Sequence, residues 1–170
     1  MIMKKLVYGV RHIHQGNLLH RDLKPANILL GVNNSPKIND FGLSATMKES
    51  STEKNKGTLP YMAPEMISPR PDVSDKSDVW SLGCIGLFVF TRSHPFSAMG
   101  ELKNYMKNPN FLPSEIRLIT SDIDRQFISQ CLQIDPAKRA GLDDQLGPSQ
   151  LRGRCRHVGF HCACNHCLCD

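Results

Sequence analysis

Long apolar runs are missing from this 170-residue chain. The longest, residues 82–90, falls well short of the roughly 20 consecutive apolar residues that a membrane-spanning helix needs, so no membrane partner is expected. A signal peptide is not readable either. Lys4 and Lys5 precede only a short apolar stretch, residues 6–10, which Arg11 interrupts, and the expected location is cytoplasmic or nuclear. Net charge is small, at +5, which gives no electrostatic case for nucleic acid as a partner. Cysteine is scarce outside the last residues: Cys84 and Cys131 lie inside apolar patterns and read as small buried hydrophobes. What is present is ordinary for a globular protein. Hydrophobic residues make up 40% and charged residues 22%, in a chain long enough for one domain with a real core.

The most informative stretch is His20-Arg21-Asp22-Leu23-Lys24-Pro25-Ala26-Asn27, followed by the strand-like triplet Ile28-Leu29-Leu30. It holds an acid to receive a proton, a cation for phosphate and an amide oxygen for a metal. Phosphoryl transfer asks for this set, because its catalysis is mostly positioning plus charge neutralisation. The bland alternative is an ordinary polar turn before a strand. Residues 31–36 then read as a turn rich in breakers, and Lys37-Ile38-Asn39 as the returning strand. Such a hairpin brings Asp40-Phe41-Gly42 back beside Asp22 and Asn27. An H-R-D-L-x-x-x-N loop with D-F-G across a hairpin resembles the catalytic core of the eukaryotic protein kinase family, and Lys24-Pro25 is similar to its serine/threonine branch. A further match to the family's G-T-x-x-Y-x-A-P-E runs from Gly57 to Glu65.

The resemblance implies a role for each of these residues. Asp22 accepts the proton of the substrate hydroxyl, and Lys24 neutralises charge on the transferred group. Thr58 hydrogen-bonds both. Asp40 and Asn27 are implied oxygen ligands of Mg²⁺, a hard cation that keeps its waters, with an Asx turn as the alternative use of the Asp40 carboxylate. Leu29 lies beneath the adenine of ATP, with Ile28 and Leu30 packing below it. His20 and Phe41 form the lower half of a hydrophobic column whose upper half belongs to a small lobe. Leu59 to Tyr61 shape a pocket for the residue after the phosphorylated one. Glu65 is expected to be buried and to pair with Arg139. Asp78 is expected to bond the backbone around His20 and Arg21, or simply to stabilise its own helix N-terminus. The segment from Asp40 to Glu65 reads as a mobile loop. Within it Ser50, Ser51 and Thr52 are candidate acceptors for an upstream activating kinase, with Arg21 pairing the added phosphate; a loop that is never phosphorylated is the alternative.

Periodicity supplies the scaffold. Ile2, Leu6, Val10 and Ile13, with Met3 and Val7 beside them, predict an amphipathic helix ending at Gly16-Asn17. Residues 77–90 are apolar all round and predict a helix buried on every side. A short polar helix is expected over 101–107. A second amphipathic one should follow a Ser121/Asp124 cap, with Ile123, Phe127 and Cys131 as its stripe and Ile128 and Leu132 widening it. The expected fold is therefore mainly α with a short β-hairpin, similar to a kinase C-terminal lobe over residues 1–146 and incomplete at both ends. No G-x-G-x-x-G loop, V-A-I-K strand lysine or αC glutamate is found in the sequence. At the other end, a helix begun by Leu142 and Leu146 is cut off by Gly147-Pro148.

Residues 147–170 change character, with Cys155, Cys162, Cys164, Cys167 and Cys169 among His157, His161 and His166. They read as a disordered, redox-sensitive tail. The alternative is a zinc site built on Cys164-x-x-Cys167 with Cys155 or a histidine, although one-residue spacings crowd the ligands. For the whole chain two functions compete. One is a serine/threonine kinase that acts on protein substrates with ATP and Mg²⁺ when a small lobe is present. The other is a non-catalytic lobe that binds proteins.

Overall fold

The fold was obtained as a computed structural model, which describes residues 2–32, 35–48, 57–69, 71–94, 96, 98–108 and 113–142. The tail (147–170), Leu146 and the candidate acceptors Ser50, Ser51 and Thr52 lie outside these residues. Helix α1 (Ile2–Gln15) forms where the three-four spacing predicts it, burying Met3, Leu6, Val7 and Val10, with Ile2 and Ile13 at the edge of the stripe. It stops because Asn17 turns left-handed, with φ at 59°, a conformation its short polar side chain tolerates. The Gly16 N–H meanwhile closes on the carbonyls of His12 and Ile13.

Four short strands follow among the described residues. Strand β1 (Leu18–Leu19) pairs antiparallel with β4 (Ala45–Thr46), and β2 (Ile28–Gly31) with β3 (Ser35–Ile38). The returning strand starts earlier than the breaker residues suggest. Ser35 and Pro36 sit within β3, where Pro36 opposes Leu30. The expected mobile loop also begins with ordered structure, since β4 ties its first residues to β1. Leu30 does not pack below Leu29 but is 56% exposed. Helix α1 covers the hairpin at its Ile28–Ile38 end, where Ile38 reaches Gly9, and no described element lies over Leu30.

Helix α2 (Asp75–Thr91) is the centre of the molecule. It starts two residues ahead of the expected Ser77, because Ser74 caps it and the Ser77 hydroxyl accepts from the Ser74 N–H. All residues from Ser77 to Leu87 are buried, as a helix without a polar face requires. Helix α4 (Asp122–Cys131) crosses it at two glycines. A Cβ on Gly83 would lie 2.7 Å from the Cys131 Cβ, and one on Gly86 would crowd Ile128 and Met3. The close approach therefore depends on the missing side chains. Ser121 caps α4 by accepting from the Asp124 N–H, and Phe127, Ile128 and Cys131 are buried. Ile123 is 45% exposed instead of joining the stripe. At 100° per residue it lies about 90° from the stripe's centre.

Helix α3 (Met99–Lys107) contributes Leu102 and Tyr105. Tyr105, Trp80 and Phe96 form an aromatic cluster with centroids 5.3–6.0 Å apart. Burial pushes the thiols of Cys84 and Cys131 well above the usual range. Both are inert core residues, as their apolar sequence setting suggests.

Candidate active site

Asp22 and Lys24, in the turn between β1 and β2, and Thr58, far along the chain, are three predicted residues in mutual contact. Asp22 is nearly buried, at 7% exposure. Its Oδ1 accepts from the Thr58 hydroxyl at 2.8 Å, and its Oδ2 accepts from Lys24 Nζ at 2.6 Å. Lys24 Nζ also donates to Thr58 Oγ1 at 2.8 Å. A carboxylate, an ammonium and a hydroxyl thus close a triangle across 34 and 36 residues of sequence. Asn27, at the end of a 3₁₀ turn, donates its amide N–H groups to the Asp22 carbonyl at 2.9 Å and to Oδ2 at 3.2 Å. Thr58 reaches the triangle because Gly57 precedes it with φ at 134°, and a Cβ there would sit 3.0 Å from the Arg21 carbonyl oxygen. Only glycine meets both conditions.

The turn's shape is strained and is held from below. Arg21 adopts φ of 65°, a region that costs a non-glycine residue roughly 1–2 kcal/mol. Asp78 of α2 offsets this. Its Oδ2 accepts the His20 N–H and its Oδ1 the Arg21 N–H, each at 2.9 Å. A third donor, His14 Nε2 at the end of α1, reaches Oδ2 at 2.9 Å. His14 escaped the sequence reading, because nothing local marks one histidine on an amphipathic helix as the partner of a residue 64 positions away. His20 is fully buried. Its Nδ1 accepts the Asp22 N–H at 3.3 Å, so Nε2 carries the proton and donates to the Asn39 carbonyl at 3.0 Å. One imidazole therefore ties the Asp22 loop to the residue before Asp40. Arg21 reaches the same segment through Nε, which donates to the Leu43 carbonyl at 2.6 Å.

Asp40 is exposed and left-handed, with φ of 63°, and its Oδ1 accepts the Gly42 N–H at 3.2 Å. The Asx turn considered as an alternative is thus present, and it occupies one oxygen only. Asn27 Oδ1 likewise has no hydrogen-bond partner among the described residues. Two uncommitted oxygens of this kind suit a cation that takes most of its ligands from water and phosphate. They do not suit a metal needing a full protein cage, and no cluster of three or more His, Cys, Asp or Glu is found among the described residues. The donor set therefore fits Mg²⁺. Phe41 is 49% exposed and its ring lies 5.0 Å from that of His20. Leu29 is 51% exposed, so an apolar surface stands open beside the polar triangle.

Glu65 and Arg139, the predicted pair, are in contact. Arg139 donates from Nη1 to Oε1 at 2.7 Å and from Nη2 to Oε2 at 3.0 Å. The Ser77 hydroxyl adds a third bond to the carboxylate. Tyr61 is held between α2 and His94: Ser81 donates to its carbonyl at 2.8 Å, and its hydroxyl lies 2.9 Å from His94 Nδ1. Burial, with Cys84 second, pushes the Tyr61 phenol up to about 12.

Known proteins resemble this chain in sequence. The family model for the protein kinase domain matches residues 1–148. The chain is 34% identical to the serine/threonine-protein kinase BCK1/SLK1/SSP31 of Saccharomyces cerevisiae, over 84% of this chain and 10% of that protein. It is 33% identical to the mitogen-activated protein kinase kinase kinase 1a of Physcomitrium patens, over 88% of this chain and 20% of the relative. A third relative, the inactive serine/threonine-protein kinase PLK5 of Mus musculus, is 38% identical over 85% of this chain and 24% of its own length. The chain therefore spans between a tenth and a quarter of these three relatives. No described helix is long and apolar enough to cross a membrane.

Proposed function

The chain belongs to the protein kinase family, and from that premise we propose that it carries the large-lobe half of a serine/threonine kinase site. With a small lobe supplied, by a longer protein or a second chain, it transfers the γ-phosphoryl group of ATP to a Ser or Thr hydroxyl of a protein substrate. The observation that carries this reading is the Asp22–Lys24–Thr58 triangle. Asp22 orients the incoming hydroxyl and receives its proton as the oxygen–phosphorus bond forms and the bond to ADP breaks. Lys24, already against Asp22, moves its charge onto the transferred group. Thr58 fixes both side chains. Asn27 Oδ1 and the Asp40 carboxylate would hold Mg²⁺; Mg-bound ATP, when present, supplies the phosphoryl group and screens its charge. Leu29 offers the apolar floor for the base. Similarity to a mitogen-activated protein kinase kinase kinase favours another kinase as substrate.

A second reading, a non-catalytic lobe that binds proteins, is favoured by the similarity to a kinase whose name calls it inactive. One assay separates the two. The chain, alone or combined with a small lobe bearing a Gly-rich loop and strand lysine, is given ATP labelled in the γ-phosphate and a generic protein substrate. The expected result is little or no incorporation by the 170-residue chain alone, and incorporation by the combination that Asp22→Asn abolishes. Incorporation that Asp22→Asn leaves intact, or none with the small lobe supplied, would overturn the catalytic reading.

A further inference from the structure

The Asp22–Lys24–Thr58 triangle depends on a contact that none of its own residues makes. Gly57 turns the chain into Thr58 with φ of 134°, and two methionines pack against it. A Cβ on Gly57 would lie 3.5 Å from the methyl carbon of Met62 and 3.8 Å from that of Met66. The two thioethers differ in their other surroundings. Met62 also lines a pocket of about 290 Å³ with Leu59, Ile67, Met99 and Lys103, and Met66 does not. Leu59, Ile67 and Met99 are half-buried and Lys103 is exposed, so the pocket is open to water. Its volume is far above the roughly 15 Å³ that one water molecule needs, and a small peroxide can enter. Met62 is only 7% exposed and Met66 4%, but the pocket gives a reagent a way to the first and not to the second.

A thioether sulfur takes an oxygen atom from hydrogen peroxide. The S–O bond forms as the O–O bond breaks, the sulfur loses two electrons, and the peroxide leaves as water. The sulfoxide is polar, and among Leu59, Ile67 and Met66 it finds no hydrogen-bond donor in a side chain, so burial penalises it. We propose that Met62 is a site of reversible oxidation by hydrogen peroxide, and that its sulfoxide, turning out to water, releases Gly57 and with it the hold of Thr58 on Asp22 and Lys24. A methionine sulfoxide reductase reverses the step, removing the oxygen as water with two electrons and two protons from thiols. Oxidation needs neither nucleotide nor protein substrate, so the inference goes beyond the phosphoryl-transfer reading and does not depend on it.

The whole chain, labelled with ¹³C in its threonine methyls, is treated with hydrogen peroxide, and oxygen uptake at each methionine is followed by peptide mass spectrometry. Met62 is expected to oxidise at least about tenfold faster than Met66 and Met3, whose burial makes them wait for the fold to open. In urea the three rates should converge. As Met62 oxidises, the Thr58 methyl signal is expected to move, while that of Thr91, bonded to the Leu87 carbonyl within α2, stays in place. Methionine sulfoxide reductase should return the Thr58 signal to its first position. Met62→Leu keeps an apolar side chain of similar volume that peroxide does not attack, so its Thr58 signal should not respond, whereas Met99→Leu should respond like the original chain. Equal rates for Met62 and Met66, a Thr58 signal unmoved by oxidation of Met62, or the same movement in Met62→Leu would each overturn the proposal.

Discussion

Arg139 holds Glu65 by both carboxylate oxygens, in a side chain with no solvent exposure whose five N–H donors all find acceptors. The remaining three go to the carbonyls of Gln133, Lys76 and Ile134, and the guanidinium lies 5.2 Å from the Trp80 ring centroid. Removing one member of such a pair strands the other without a partner, at a cost of roughly 3–5 kcal/mol. Arg139→Ala and Glu65→Ala are each expected to lower the unfolding free energy measured in urea by that scale, and the double variant by less than the sum. Unchanged midpoints in both single variants would show that the pair contributes nothing to stability.

Asp78 is expected to matter for the loop more than for its own helix. Asp78→Ala leaves the N–H groups of His20 and Arg21 buried without acceptors, at about 1–3 kcal/mol each, and also removes the partner of His14. Hydrogen exchange should show lost protection at those two amides together with a lowered urea midpoint. A midpoint shift with both amides still protected would mean that the carboxylate acts only on the helix N-terminus.

Alkaline stability follows from four buried groups. Tyr61 and Tyr105 are each pushed up to about 12 from 10.0, first by burial, and the Cys84 and Cys131 thiols are pushed up from 9.0 by the same cause. A group whose folded pKa lies above its unfolded value contributes stability that is complete below the unfolded pKa and is lost as pH rises toward the folded one. The urea midpoint should therefore be level up to pH about 8, decline from about 9 as unfolded thiols ionise, and decline more steeply above about 10. Tyr105→Phe should soften the last phase. A midpoint unchanged to pH about 11 would contradict this burial.

How far the sequence reaches differs from residue to residue. Asp22, Lys24 and Asn27 share one short loop, so their proximity needs only a turn. Glu65 and Arg139 were legible because a buried acid requires a cation and the family pattern supplies one. The β1–β4 pair was not legible, since two-residue strands carry no periodicity and depend on partners brought together by α1 and the hairpin. His14 was hidden for a related reason: its meaning comes from Asp78, on another helix. Ile123 was misplaced because an apolar residue at a helix end satisfies the stripe's spacing while lying off its centre. Leu30 was misplaced because a two-stranded ribbon has too little cover to bury every apolar residue it carries.

Asp40 separates a phosphoryl-transfer site from a merely structural cluster. Its carboxylate is exposed and bonds only its own turn within the described residues, so Asp40→Asn keeps volume and turn while removing the charge that would hold Mg²⁺. With a small lobe supplied, phosphate transfer and the urea midpoint are measured side by side for the original chain and Asp40→Asn. Transfer is expected to fall by at least about a hundredfold with an almost unmoved midpoint, and Asn27→Ala to show a milder loss that added Mg²⁺ partly restores. A large fall in the midpoint for Asp40→Asn, or transfer undiminished without Mg²⁺ or Mn²⁺, would contradict a phosphoryl-transfer site.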